Sequence, residues 1–242
     1  MTHRSLAKLL LLILSMHLLS HYYFDRNHAS PYFKLGVLFP DLIPDFNRKI
    51  RRAVFAQVPV QDNLYNLYCG IRKHYQADAL FHNSELFREL CATIKTQLLM
   101  VDISCLRKRA YFLAHIFLEL LLDRRLIKLY PALPVSMYDD LQAVRGEEVA
   151  AYLCVIGRQE ISTDFLHNFN RFSTARHLIR LPDNEFFIAA LLRIYSRVNP
   201  VEVNWIERDL LMALTENVEG LYTGQLDACL EQMRKRLEPG YS

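Results

Sequence analysis

Glycine is scarce in this chain, with seven residues in 242 where a globular protein averages about 7%. Leucine instead dominates the periodic stretches, and the two features together argue for an all-α protein. Cysteine is present but cannot build a frame. Cys69, Cys91, Cys105, Cys154 and Cys229 are odd in number and include no C-x-x-C pair. They read as reduced core thiols of a cytoplasmic protein rather than a disulfide scaffold or a structural zinc knuckle. A large charge of either sign is also missing. With 29 basic and 26 acidic residues the net charge is +3, which excludes a strong global field for nucleic acid. The short clusters Arg48-Lys49 with Arg51-Arg52, and Arg107-Lys108-Arg109, read as solvated faces.

No apolar run is long enough to span a bilayer. The nearest, Leu9 to Leu14, follows Arg4 and Lys8 and imitates the start of a secretory signal. However, His17 and His21 interrupt its continuation and no small-x-small cleavage site follows. Gly/Ser linkers, repeats and low-complexity segments are absent as well, so residues 16–242 are expected to form one all-α domain. Its 52% hydrophobic residues suffice for a sizeable core.

Helix signals divide the chain as follows. A first helix runs through Leu18 to Asp25 and ends near Ser30-Pro31, because proline disfavours helix in the residue before it. A short helical turn from Tyr32 to Phe39 meets Pro40-Asp41-Leu42-Ile43-Pro44, an acidic corner bracketed by prolines. The next helix starts around Asp62, and in it Gly70, one turn before His74, permits close backbone approach. Ser84 caps a helix reaching about Leu99, and a long helix from Ser104 to Tyr130 stops at Pro131. Beyond Pro134 we expect helices over 136–145, 147–157, 161–176, 184–198, 201–216 and 221–237. The aromatic residues Tyr22, Tyr23, Phe24, Tyr65, Tyr68 and Tyr75 read as core packing and helix contacts.

What the sequence does hold is a set of histidine–carboxylate pairs. His74 with Asp78, and His115 with Glu119, are each four residues apart on a helix, so their side chains share one face, roughly 40° apart around the axis. His82 and Asp123 follow at the next step of four and are secondary candidates. Glu119 lies in an apolar stretch, where a carboxylate must be paired, protonated, metal-bound or turned outward. Imidazoles mixed with carboxylates suit Mn²⁺, Fe²⁺ or Zn²⁺, whereas an all-oxygen set would suit Mg²⁺ or Ca²⁺. In the second half, Arg171, Arg176 and His177 with Asp183 and Asn184 either frame a phosphate-binding edge or pair with acidic surface groups; pairing is the expectation.

Three stretches carry a resemblance. Met16-His17-Leu18-Leu19-Ser20-His21 looks like the M-N-F-L-A-H opening of bacterial acyl carrier protein phosphodiesterases. Leu35-Gly36-Val37-Leu38-Phe39-Pro40-Asp41 resembles their G-N-x-x-x-D, and Gly70-Ile71-Arg72-Lys73-His74-Tyr75-Gln76-Ala77-Asp78-Ala79-Leu80-Phe81 their G-I-x-x-H-x-x-I-D-x-F. Order and spacing agree over the first half. The resemblance implies an all-α fold related to the HD-type metal phosphohydrolases. It also implies removal of the 4'-phosphopantetheine arm from holo acyl carrier protein, which would then be the partner. It carries over His21, Asp41, His74 and Asp78. Where the family has D-x-x-x-D-H on a later helix, this chain has Ala114-His115-Ile116-Phe117-Leu118-Glu119-Leu120-Leu121-Leu122-Asp123, and His82 falls earlier than the family's histidine.

The full expected metal set is therefore His21, Asp41, His74, Asp78, His115 and Glu119, with Asp78 and Glu119 as catalytic carboxylates. Because Met16 opens the family-like stretch, residues 1–15 read as an upstream extension, a signal peptide being the alternative. Two other functions stay open. The H-x-x-x-D and H-x-x-x-E spacing is also similar to that of the zinc-dependent phospholipases C, and a Leu-rich helical scaffold that binds a partner through a residual polar site would show the same pattern. Nothing in the sequence sets the oligomeric state.

Overall fold

Helix-stop and capping residues, rather than long loops, punctuate this chain. The computed structural model describes residues 18–42, 48–101, 103–200 and 202–237; the expected extension over 1–15, the start at Met16 and His17 lie outside them. Among the described residues there is no strand. The helices are α1 (Leu18–Asp25), α2 (Pro31–Leu42), α3 (Arg48–Ala56), α4 (Asp62–His82), α5 (Glu85–Met100), α6 (Ser104–Arg107), α7 (Ala110–Leu129), α8 (Leu133–Gln142), α9 (Gly146–Val155), α10 (Gln159–Ala175), α11 (Asn184–Ser196) and α12 (Trp205–Leu237). A 3₁₀ turn, His177–Arg180, precedes α11. The fold is all-α, as composition and periodicity led us to expect, and no helix among the described residues is long and apolar enough to cross a membrane.

The described residues form two units, each built from two separate stretches: 18–76 with 132–177, and 77–131 with 178–237. The division passes through α4, which is one unbroken helix.

In the first unit α1 packs on α2, and both pack on α8. Asp140 of α8 explains part of this: it accepts a hydrogen bond from the Tyr22 hydroxyl of α1 at 2.5 Å and pairs with Lys34 of α2 at 2.8 Å. The helices α9 and α10 pack together across a tight turn in which Gly157 takes a φ of +74°, a left-handed backbone that favours glycine. Rings of Phe39, Phe165 and Phe169 stack within this unit, as do Tyr138 and Phe172.

In the second unit α7 is the central helix and contacts α5, α11 and α12. Its run from Ile116 to Arg124 is buried without a break, the pattern of a helix covered on all sides. Polar ties connect it to its neighbours. Arg124 meets Glu219 at 3.1 Å and Asn184 at 2.7 Å, and Arg125 holds Asp227 through two bonds of 2.7 and 2.8 Å. Ser84 caps α5 as expected, accepting from the Phe87 backbone N–H at 3.2 Å, a contact worth about 1 kcal/mol.

Three boundary expectations are corrected. The turn at 32–39 is a full helix, α2, that includes Pro40; proline in the last turn removes a single internal bond, so the helix continues to Leu42. The long helix expected from Ser104 to Tyr130 is broken at Lys108 and Arg109. There Arg109 takes a φ of 55°, and the carbonyls of Cys105 and Lys108 are taken up by Asn199 and the Tyr195 hydroxyl. The two helices expected at 201–216 and 221–237 are one, α12, because Gly220 sits on its exposed side and costs only about 1 kcal/mol. The basic cluster expected as a solvated face lies on α3, where Arg51 and Arg52 are exposed and Val54 is fully buried.

Candidate metal centres

The site is built where glycine is spent. A Cβ added to Gly36 of α2 would lie 2.7 Å from the Cα of Gly70, and one added to Gly70 would lie 2.7 Å from the Cα of Gly36. These two glycines let α2 and α4 cross backbone to backbone. One turn beyond Gly70, His74 consequently reaches the Val37 carbonyl of α2, and its Nδ1 lies 2.9 Å from that oxygen. A carbonyl only accepts, so Nδ1 carries the proton and Nε2 the lone pair, the tautomer that a metal ligand requires.

His21 of α1 stacks on His74 with ring centroids 4.1 Å apart and planes 26° from parallel. Both imidazoles are nearly sealed from solvent, at 3% and 2% exposure. Asp78 follows His74 by one turn along α4, and Asp41 lies in the last turn of α2.

A second group forms in the second unit. His82 at the end of α4 and His115 on α7 both direct Nε2 at the same oxygen, Oε1 of Glu119, at 3.1 and 2.8 Å. The Glu119 side chain is 0% exposed, while those of His82 and His115 are 32% and 20% exposed. The carboxylate is thus the floor of the site and the imidazoles its rim. Phe87 holds both rings from one side, its centroid 5.0 Å from each, and Phe81 packs on Phe87 at 4.6 Å. The buried Cys91 thiol is pushed up to about 12, first by burial and then by the Glu119 charge.

The sequence-derived set is therefore corrected in its grouping: His21 and His74 meet in the first unit, and His82, His115 and Glu119 collect in the second. His82 ranks higher than the sequence suggested. Its partnership with Glu119 spans 37 positions and rests on how α4 and α7 pack, a signal that spacing along one helix does not carry. Asp123 is buried one turn beyond Glu119 and belongs to neither group of three. In the second half, pairing prevails over a phosphate edge. Arg176 bonds Asp139 at 2.7 Å, Asp183 caps α11 by accepting from the Phe186 N–H at 2.7 Å, and Asn184 joins Arg124 to Glu216. Tyr22, Tyr23 and Tyr68 are buried core residues, while Tyr65 is exposed. Comparison with protein-family models, with curated proteins and with solved structures finds no match to this chain.

Proposed function

We propose that the chain is a metal-dependent phosphoric diester hydrolase, similar to the enzymes that remove 4'-phosphopantetheine from holo acyl carrier protein. The observation that carries this reading is the stack of His21 on His74, with Asp78 one turn further along the helix that bears His74. They come from two of the three family-like stretches, 53 positions separate the two histidines, and the third stretch supplies the Gly36 crossing and the Val37 carbonyl that fix His74. The donor chemistry, two imidazoles and a carboxylate, fits Mn²⁺, Fe²⁺ or Zn²⁺. Bound there, such an ion would offset charge on a phosphoryl group and acidify water.

The chain's own groups have definable tasks. The Val37 carbonyl orients His74, the stack with His21 fixes both rings in a buried setting, and Asp78 supplies the anionic ligand and a proton acceptor. Arg72 and Lys73 directly precede His74 and, with Phe33, Cys69 and Gln76, line a cavity of about 510 Å³. Two cations in one cavity suit an anionic phosphodiester.

The test is to incubate the Mn²⁺-loaded protein with holo acyl carrier protein and follow the carrier's intact mass. Loss of the phosphopantetheine arm supports the reading. An unchanged carrier alongside turnover of a generic diester keeps the hydrolase and discards the substrate, and absence of both contradicts the proposal.

A further inference from the structure

We infer that His82, His115 and Glu119 form a second metal site, separate from the His21–His74–Asp78 group, which takes a borderline transition-metal dication such as Zn²⁺ through three protein ligands and leaves an outward position open. The inference does not depend on the diesterase reading.

The first argument is convergence. Each imidazole directs the same atom, Nε2, at one and the same carboxylate oxygen, at 3.1 and 2.8 Å, although Glu119 has two oxygens to offer. Ligand bonds of about 2.1 Å at a tetrahedral angle place neighbouring donor atoms roughly 3.3 Å apart. The spacing observed is close to that, so a dication takes the place of each Nε2 proton while Nδ1 bears the ring N–H, with little movement of the rings.

The second argument is charge. Glu119 is 0% exposed, and a buried carboxylate is costly unless its charge is compensated. A dication bound at this carboxylate supplies both ligation and compensation. The third is the gradient of exposure, from the sealed carboxylate to the part-exposed His82 and His115. It leaves one side of the group open to solvent, the arrangement of zinc sites with three protein ligands and a water. Phe87, packed against both rings, holds them in place without offering a competing ligand.

The two groups have no ligand in common. The site should therefore load and empty independently.

The experiment strips the full-length protein with a chelator and titrates it with Co²⁺ and, separately, with Zn²⁺. Metal per chain is counted after dialysis. We expect two equivalents for the wild type, one for His115→Gln and one for Glu119→Gln, with helical content unchanged. His74→Gln should also retain one, and His74→Gln with His115→Gln none. A readout that needs no change in the second site uses the Co²⁺ form of His74→Gln. Two paramagnetically shifted, solvent-exchangeable imidazole N–H resonances are expected, from His82 and His115. If His115→Gln and Glu119→Gln keep the wild-type stoichiometry, or if Co²⁺-loaded His74→Gln shows no shifted imidazole signals, the group is a metal-free hydrogen-bonded triad and the inference is overturned. Failure of the protein to hydrolyse any diester while this site still loads would count against the proposed function alone.

Discussion

At the residue scale, the histidines differ from other polar residues in what surrounds them. His74 is held by a backbone carbonyl and a stacked ring, and His82 and His115 by a shared carboxylate and a shared phenyl wall. The cysteines differ in the opposite sense. Cys91 and Cys229 are buried thiols whose pKa values are pushed up to about 12 by desolvation, whereas Cys154 is exposed. Only the thiolate is alkylated, and a raised pKa keeps the thiol protonated until the pH approaches that value. In native protein at pH 8, iodoacetamide should therefore label Cys154 first and leave Cys91 and Cys229 unmodified, also at pH 9.5. Peptide mass mapping checks this, and labelling of Cys91 or Cys229 ahead of Cys154 in folded protein would show that the core described here is wrong.

At the scale of elements, the crossing of α2 and α4 positions the first group of donors. Gly70→Ala places a Cβ against the Phe33 carbonyl and the Gly36 Cα, both backbone and unable to step aside, so it should destabilise by roughly 1–3 kcal/mol. It should also weaken metal binding, because His74 would be drawn away from Val37. Gly220→Ala is the control: nothing lies within 4 Å of its added Cβ, and an exposed helical glycine replaced by alanine should gain about 0.5–1 kcal/mol. Thermal melts should move in opposite directions for the two variants; equal shifts would contradict the crossing. The helices α1, α4 and α5 were legible in the sequence because each has a local signal: proline after α1, the histidine–carboxylate ladder on α4, Ser84 before α5. The break at Lys108 and Arg109 was not, because it depends on Tyr195 and Asn199 reaching their partners from far along the chain. The same limit governs the site. The pairs at a spacing of four were visible, whereas the His82–Glu119 partnership is a product of packing.

At the scale of the whole molecule, chemistry-bearing residues are concentrated on few helices. α4 carries His74, Asp78 and His82, with Arg72 and Lys73 beside them, and α7 carries His115 and Glu119. Three cations of α7, Arg124, Arg125 and Lys128, are tied into ion pairs with α12. The central claim is that His21, His74 and Asp78 hold an ion that supports phosphodiester hydrolysis. It is tested most directly by the initial rate of hydrolysis of a chromogenic phosphodiester as Mn²⁺ is added back to chelator-treated protein, with His74→Gln in parallel. The account predicts a rate that rises and saturates with Mn²⁺ in the wild type and falls at least about 100-fold in His74→Gln, whose helical content is unchanged. A rate that does not depend on Mn²⁺, or one equal in the two proteins, would contradict it.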